Sequence, residues 1–536
     1  MASFAPSQAT SSTSGRRFTF SSTYSSSFSF KSSQVPIARI SKHRHAVSCK
    51  TLDDDHHHHT NSSKLDRRNV LLGLGGLYGT AANFGSNSLA FADPIMGPDL
   101  SQCGPADLPQ GAVPTNCCPP YNTKIIDFKL PPQSNPLRVR PAAHLVDKDY
   151  IDKFSKAIEL MKALPDDDPR SFKQQANVHC AYCDAAGMKI PDIYTDKNSP
   201  LYDSLRDAKH QPPTVVDLDF NGVDNNLSPS EQTSTNLTIM YRQMVSNAKT
   251  ASLFMGSPYR AGDDPSPGAG SLESVPHNPV HIWTGDRNQP NGEDMGNFYS
   301  AGKDPIFFAH HGNLDRLWSV WKTLGGRRKD FTDNDWLDSS FLFYDENAEL
   351  TRVKVRDCVD SKNMNYVYQD VELPWLESKP VPRLQRASRN IKKRAHERIP
   401  FAKDVFPASL DKVIKVLVPR PKKSRTKKHK EEEEEILVIE GIEVKRDEFV
   451  KFDVLVNDED DGTRATAAKT EFAGSFVSVP HMHKHEKNGK TRLRLGITDL
   501  LEDLKAEDDD NVLVTLVPKT SGGDISIGGI KIEHEE

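Results

Sequence analysis

The chain has 536 residues, enough for two or three domains that each bury a hydrophobic core. Its formal net charge is -5 and 27% of its residues are charged, so no overall basic field directs it to nucleic acid. Hydrophobic residues make up only 36%, which indicates long polar segments beside the globular parts.

Residues 1–92 have the character of a two-part targeting sequence. The first fifty residues lack Asp and Glu and are rich in Ser, Thr, Arg and Lys, and the alternation in FSSTYSSSFSF favours a plastid transit peptide. Arg67 and Arg68 then precede the short apolar run NVLLGLGGLYG, and an A-x-A cleavage site ends at Ala92. We therefore predict the twin-arginine export machinery as a partner and the thylakoid lumen as the destination. The run is too short and Gly-rich to predict a transmembrane segment, and the discarded His56–His59 are assigned no chemistry.

The cysteines of the mature chain indicate disulfides near its N-terminus. Four of them could form two bonds that fix an irregular arm to the core in an oxidising lumen. These four are Cys103, Cys117, Cys118 and Cys180. Cys117 and Cys118 are adjacent and do not readily bond to each other, so each pairs outward. Cys183 and Cys358 are left over.

Helical periodicity dominates residues 93–334. Apolar residues recur at helical spacing in 147–164, in 231–255 and in 304–324, and the last segment opens with Asp-Pro as a helix start should. These patterns predict a bundle of helices surrounded by long loops. Residues 335–385, beginning DWLDSSFLFYDENAEL, form a compact extension of this part.

The sequence of the C-terminal part predicts a separate all-β domain. A basic stretch from Arg383 to Pro400, just after the Pro-marked SKPVP, indicates a linker and a target for proteases. Five runs, from EILVIEGIEV to DISIGGIKI, alternate apolar and polar residues, which predicts a sandwich-like β domain over 407–536.

Two features of the β domain have competing interpretations. The run RPKKSRTKKHKEEEEE (420–435) is interpreted as an exposed charged loop, with a binding tail as the alternative. His481, His483 and His485 alternate as on a solvated strand end, with a metal site as the alternative.

Two histidine motifs predict a metal site in the helical part. His277 and His281 are four residues apart, which places both rings on one helix face, and Pro279 between them is tolerated only where the helix begins. His310 and His311 lie on a second helix in DPIFFAHHGNLDRLW. Three neutral imidazoles from two facing helices form a site for copper or zinc.

These motifs resemble those of the plant polyphenol oxidases, the catechol oxidases and tyrosinases of the type-3 dicopper family. The resemblance is nearly end to end and includes CCPP, HCAYC, HNPVHIWTG, DPIFFAHHGNLDRLW, DWLDSSFLFYDE and KFDVLVND. It implies a mainly α catalytic domain, with a four-helix-bundle dicopper core, followed by an all-β domain that shields the copper pocket until the linker is cut. The resemblance places this linker at 386–406.

The resemblance also assigns roles to residues near the second copper, CuB. It implies that His277, His281 and His311 bind CuB and that Phe298 is the aromatic gate over it. It further implies that Glu273 and Asn278 orient a water able to deprotonate a phenol. A helix-capping pair is the alternative for these two. Asp315 is implied to fix the orientation of a histidine.

For the first copper, CuA, the resemblance implies only remnants. His179 matches the first ligand, and Cys183 matches the cysteine that forms a thioether with the second CuA histidine. The implied disulfides are Cys103–Cys118 and Cys117–Cys180. The two further histidines of the family are missing, because His210 is the only histidine between Cys183 and His277 and matches a non-ligand position. We predict a join near Ala185-Ala186, with about fifty residues absent, enough for two helices and their connection.

The implied activity is oxidation of o-diphenols to o-quinones with reduction of O2 to water, so the expected partners are a small phenol and O2. The chemistry needs two coppers, and this chain is expected to hold at most one. We therefore predict poor folding and little or no oxidase activity. The alternatives are a non-catalytic lumenal protein with a mononuclear CuB site, or recruitment of His210 as a replacement ligand.

Overall fold

The computed structural model describes most of the chain after the targeting sequence. The described residues are 94–96, 100, 112, 118–133, 135–182, 190–257, 268–380, 399–458, 467–480, 488–520 and 524–535, with the backbone alone at 179–182, 192 and 488. They all belong to one compact unit. The targeting sequence, Cys103, Cys117, Cys183, the predicted join and His481, His483 and His485 lie outside the described residues.

Helices dominate the first part of this unit, and short ones also lie in the C-terminal part. They are α1 Lys148–Ala163, α2 Phe172–Tyr182, α3 Pro229–Tyr241, α4 Ala251–Phe254, α5 Asn278–Thr284, α6 Ile306–Thr323, α7 Asn334–Asp338, α8 Val355–Cys358, α9 Ala402–Val405, α10 Lys427–Glu432 and α11 Thr498–Asp503. Of these helices, α9 to α11 lie in the C-terminal part. Single turns occur at Asp192–Tyr194, Ala208–His210, Arg242–Ser246, Glu273–His277, Ala301–Lys303 and Pro374–Glu377.

Side-chain caps explain where two of the long helices begin. The carboxylate of Asp147 accepts the Tyr150 amide at 2.8 Å and starts α1 within one residue of the predicted boundary. Ser228 and Glu231 cap each other's backbone amides at the start of α3. The local sequence thus determines the residue at which each of these two helices begins.

The single helix predicted over 231–255 is interrupted. After α3 the chain makes a π-helical turn at Arg242–Ser246, leaves the helix at Asn247, and restarts at α4 with Thr250 as the cap. The break exposes backbone and side-chain groups to other segments: Trp321 Nε1 donates to the Ala248 carbonyl at 2.6 Å. Tertiary hydrogen bonds therefore override a continuous helical pattern.

Strands of the middle part form two small sheets. They are β1 Ile125–Asp127, β2 Arg138–Arg140, β3 Ser340–Tyr344, β4 Leu350–Lys354 and β5 Tyr366–Tyr368. The order is β1-β4-β3 in one sheet and β2-β5 in the other, and the pairs β1/β4 and β2/β5 are parallel. Both sheets thereby join the N-terminal arm to the extension after α6.

The C-terminal part is an all-β sandwich, as predicted. Its strands are β6 Ala408–Ser409, β7 Ile414–Pro419, β8 Glu434–Lys445, β9 Val450–Val456, β10 Phe472–Ser478, β11 Asn488–Gly496, β12 Asn511–Pro518, β13 Ser526–Ile527 and β14 Gly529–Glu535. One sheet has the order β10-β9-β12-β7, and the other has β11-β8-β13-β6 with β14 on β8. Alternate aliphatic side chains such as Val454, Ile439 and Leu516 are fully buried in the core of this domain.

The charged run at 420–435 is not simply an exposed loop. It contains helix α10, capped by Thr426; its Arg425 is buried and its Arg420 is half-buried. Arg420 forms a two-bond fork with Glu435 at 2.7 and 2.9 Å, and Arg425 donates to the His429 carbonyl at 2.8 Å. The two arginines thus hold the segment against the sandwich, as does the half-buried Lys430 through its ion pair with Glu502, while the other lysines of the run are exposed.

Within the described ranges, no helix is long and apolar enough to cross a membrane.

Candidate metal centre

Helices α5 and α6 carry the histidines that the sequence singles out. His277 is the last residue of the turn Glu273–His277, and α5 begins at the next residue, so Pro279 falls at the start of the helix, where it costs no hydrogen bond. His281 follows one turn later. Helix α6 starts directly after Asp304-Pro305 and places His310 and His311 in its second turn.

The four imidazole rings lie close together. The ring centroid of His281 is 4.8 Å from that of His277, 5.1 Å from that of His310 and 6.1 Å from that of His311. Two imidazoles on one ion, each with a metal–nitrogen bond of about 2 Å, have centroids roughly 5 Å apart. The spacing of these rings therefore suits a shared ion.

Hydrogen bonding and burial prepare the rings as ligands. Nδ1 of His281 lies 2.6 Å from the carbonyl oxygen of Met295, to which it donates, so the lone pair is on Nε2. Burial lowers the pKa of His281 to about 4, and it lowers the pKa of His310 well below the ordinary value. Both rings are neutral at neutral pH, which is the form that binds metal.

His310 adds an observation that sequence reasoning missed. It is buried, and among the described residues neither of its ring nitrogens has a hydrogen-bond partner. A buried polar atom without a partner is unfavourable, and an ion bound among these rings would remove that penalty. The donor set thus fits one copper, although within the described part no three His, Cys, Asp or Glu side chains are already arranged to hold a metal.

The other residues assigned to CuB are placed as follows. Glu273 and Asn278 flank His277, and burial raises the pKa of Glu273 to about 8. Asn278 is buried, and its amide nitrogen donates to the Val477 carbonyl of β10 at 2.9 Å. It does not cap α5, because no side chain caps that helix. Phe298 is partly buried in the segment between α5 and α6.

Asp315 bonds to two tyrosines of β5, which the sequence did not predict. Its Oδ2 accepts hydrogen bonds from the hydroxyls of Tyr366 at 2.6 Å and Tyr368 at 2.5 Å. The guanidinium of Arg140 lies over the Tyr366 ring at 3.6 Å. Within the described residues Asp315 bonds to no histidine, because this tyrosine cluster on β5 occupies its carboxylate. The residue joins α6 to the two-stranded sheet instead.

The remnants of CuA are only partly visible. His179 and Cys180 fall in α2, whose side chains are not described beyond Val178. Cys118 is disulfide-bonded, to a cysteine whose side chain is not described. Cys358 is a free thiol.

His210 is fully committed to other contacts. It is buried in the turn Ala208–His210. Nδ1 bonds to the Trp283 carbonyl, and Nε2 bonds to Asp224 at 2.8 Å. Its ring also stacks on the Trp283 ring at 4.4 Å. Both nitrogens are in use, which argues against His210 as a replacement copper ligand.

Comparison with family models agrees with this arrangement of domains. The common central domain of tyrosinase matches residues 161–324. The polyphenol oxidase middle domain matches 330–381, and the chloroplastic polyphenol oxidase C-terminal domain matches 406–534. The helical core with its paired histidines and the β sandwich therefore define a tyrosinase-type protein.

Individual relatives narrow the identification. Polyphenol oxidase of Malus domestica is 58% identical over 574 aligned positions, covering 95% of this chain and 96% of the relative. Aureusidin synthase of Antirrhinum majus is 53% identical, covering 84% and 91%. The solved structure of latent apple tyrosinase superimposes with a TM-score of 0.71 at 56% identity, covering 77% of this chain and all of that one. This chain belongs to the plant chloroplastic polyphenol oxidase family, which confirms the resemblance.

Proposed function

We propose that this chain is a shortened polyphenol oxidase that keeps the CuB site and lacks CuA. The observation that supports this proposal is that no histidine is left to complete CuA. His210 is the only histidine between Cys183 and His277, and both of its ring nitrogens bond to other groups. One remaining CuA imidazole, His179, does not hold a copper against water and competing ligands.

The length of the alignment supports an internal loss. The alignment with the apple relative spans 574 positions, more than the 536 residues of this chain. The relative therefore contains segments with no counterpart here. A gap after Cys183 accounts for both this difference and the missing histidines.

In the family activity, a pair of coppers transfers two electrons from each o-diphenol to O2, giving o-quinone and water. In this chain His277, His281 and His311 would hold the one copper, with His310 beside them. Phe298 would close over the phenol, and Glu273 with Asn278 would orient a water near its hydroxyl. The substrate is a small phenol, but without a second copper we expect little or no turnover.

The localisation follows from the leader and the relatives. Relatives are named chloroplastic, which supports the chloroplast for this chain, and the twin-arginine signal supports the thylakoid lumen. Sequencing the transcript across codons 183–190 tests whether the shortened chain is made in the cell.

Copper loading tests the proposal directly. The full chain is titrated with Cu(II), the copper content per chain is measured, electron paramagnetic resonance is recorded, and O2 uptake is followed with catechol. We expect one copper per chain with the spectrum of an isolated Cu(II), and no O2 uptake above that of free copper. Two coppers with O2 uptake, or no copper at all, would contradict the proposal.

Two variants serve as controls. His281→Gln removes a CuB ligand and should abolish copper retention, whereas His210→Gln should leave the copper content unchanged. Insertion of the apple segment at the predicted join should add a second copper and restore O2 uptake.

A further inference from the structure

Arg206 lies between the two helices that carry the histidines, and its backbone is attached to one of them. It forms an antiparallel bridge with Gly285, the residue that ends α5. The amide of Asp207 donates to the Thr284 carbonyl at 3.0 Å. The chain at Arg206 thus follows any shift of the end of α5.

The side chain of Arg206 is attached to the start of the other helix. It is buried, and its Nε donates to Oδ2 of Asp304 at 2.7 Å while Nη2 donates to Oδ1. Oδ1 of Asp304 also accepts the amide of Ile306, the first residue of α6, at 2.9 Å. The Asp304 carboxylate therefore accepts hydrogen bonds both from the Arg206 guanidinium and from the first amide of α6.

The Arg206 guanidinium also donates hydrogen bonds to two backbone carbonyls. Nη1 donates to the Tyr194 carbonyl and Nη2 to the Leu201 carbonyl at 2.9 Å. A planar guanidinium bound in this way has one orientation, because each donor direction is fixed by its acceptor. Movement of α6 relative to α5 would break several of these bonds at once.

We propose that Arg206 is a positioning residue for the CuB site, acting through Asp304 on α6 and through Gly285 on α5. It touches no histidine ring in the described contacts, yet it fixes the distance between His277 and His281 on one side and His311 on the other. This inference rests on the proposed function, because it concerns the copper that those histidines hold.

A double variant separates positioning from simple stability. Arg206→Met alone leaves Asp304 charged and buried without its partner, which is strongly destabilising. Arg206→Met with Asp304→Asn removes both charges together, and the Asn oxygen still accepts the Ile306 amide as a helix cap. We expect the double variant to fold without a buried unpaired charge and to lack the clamp, at somewhat lower stability because the Tyr194 and Leu201 carbonyls lose their donor.

The readouts are Cu(II) affinity and the electron paramagnetic resonance spectrum of the full chain. The double variant should bind Cu(II) more weakly by about tenfold or more, the usual effect of removing support behind metal ligands, and its spectrum should change. Arg206→Lys restores one bond to Asp304 but not the fork, so it should recover affinity only in part.

Arg242→Met is the matched control. Arg242 is also a buried arginine, but it donates to the Phe472 carbonyl at 2.6 Å and to the Lys469 carbonyl in the β domain. Its loss should lower the stability and leave the Cu(II) affinity and spectrum unchanged. Equal affinity in the wild-type chain and the double variant would overturn the role of Arg206 while leaving the proposed function intact.

Hydrogen exchange tests the clamp without copper, so a wild-type chain that binds no Cu(II) still gives a result. In the double variant the Ile306 amide should exchange faster than in the wild-type chain, because its side-chain acceptor at position 304 is no longer held by Arg206. In Arg242→Met it should exchange at the wild-type rate. Unchanged exchange of Ile306 in the double variant would refute the inference, whereas absent copper binding alone refutes only the proposed function.

Discussion

Asp294 is the residue whose ionisation most clearly depends on the fold. Burial, with repulsion from Asp203 and Asp304, raises the pKa of Asp294 to about 8, although Lys303 opposes the shift. Burial also raises the pKa of Asp203, which accepts a hydrogen bond from Asp294. Asp294 therefore keeps its proton in the folded chain at pH 7, where an unfolded aspartate, with a pKa of about 3.9, has lost it.

The free energy of unfolding should consequently fall as pH rises from about 4 to about 8. In that window the folded chain binds one more proton than the unfolded chain, so this group contributes a slope of up to about 1.4 kcal/mol per pH unit. Above the folded pKa the contribution levels off. Asp294→Asn should lower the slope by this amount and leave the part that comes from Glu273, whose pKa burial also raises to about 8, as measured by urea unfolding at pH 5, 7 and 8.5.

Asp286→Asn is the control for this titration. Burial opposes ionisation of Asp286, but hydrogen bonds from Asn288 and Gln289 and the charge of Arg287 hold its pKa below the ordinary value. Any stability that its ionisation contributes is lost only in acid, below about pH 4. The slope between pH 5 and 8.5 should match that of the wild-type chain, and a wild-type slope in Asp294→Asn would exclude Asp294 as its source.

Also at the scale of residues, the spacing of residues along a helix predicted some contacts of the site and failed to predict others. The four-residue spacing of His277 and His281 is a property of one helix, so it was sufficient to place both rings together. The partners of Asp315 and Asn278 come from β5 and β10, far away in sequence. No periodicity within a helix encodes such contacts, so the sequence did not predict the tyrosine partners of Asp315.

At the scale of elements, helices with local caps were predicted closely and those shaped by neighbours were not. Helix α1 begins one residue from its predicted start because Asp147 caps it. The segment 231–255 has a continuous helical pattern, yet contacts with α6 and β10 break it. Strand β11 was not predicted, because Arg and Lys residues alternate with the buried Leu493 and Leu495 and make the segment look polar.

Trp321 shows how α6 depends on that break. Its ring is fully buried, stacks on Phe254 at 4.5 Å, and donates to the Ala248 carbonyl exposed by the interruption. Trp321→Phe keeps an aromatic ring but removes the donor, so we expect the free energy of unfolding to fall by about 1–3 kcal/mol. Urea unfolding followed by circular dichroism measures the change.

Trp318→Phe on the same helix is the comparison. Trp318 is only partly buried, and its acceptor Asp330 also receives a bond from Lys322 at 3.1 Å. Its replacement should cost less than about 1 kcal/mol, as at most surface positions. An equal loss of unfolding free energy in both variants would show that the hydrogen bond to Ala248 contributes no more to stability than the one to Asp330.

At the scale of the whole molecule, the helical part and the β sandwich share a core. Phe472 and Val477 of β10 pack in the same hydrophobic cluster as Met240 and Val275 of the helical part. Lys451 of β9 is fully buried, and its ammonium bonds to the carboxylate of Asp219 at 2.6 Å. Burial opposes the charge of Lys451, but Asp219 and Asp453 keep its pKa raised.

We therefore expect the two parts to stay together after the linker is cut. A specific protease site placed within 386–398 allows a single cleavage, and size-exclusion chromatography then shows whether the fragments elute as one species. Hydrophobic contact and buried hydrogen bonds remain after the covalent link is lost, so one peak containing both fragments is expected. Two separate peaks at micromolar concentration would contradict a shared core.

Lys451→Met tests which contacts hold the cut fragments together. Loss of the buried ammonium leaves Asp219 without its partner, a penalty of about 1–3 kcal/mol, which corresponds to association weakened by about 5-fold to 150-fold. Lys445→Met is the control, because Lys445 pairs with Glu448 at the surface, where such pairs contribute little. Titration of one fragment with the other should give weaker binding for Lys451→Met alone, and equal affinities for both variants would assign the association to the hydrophobic cluster around β10.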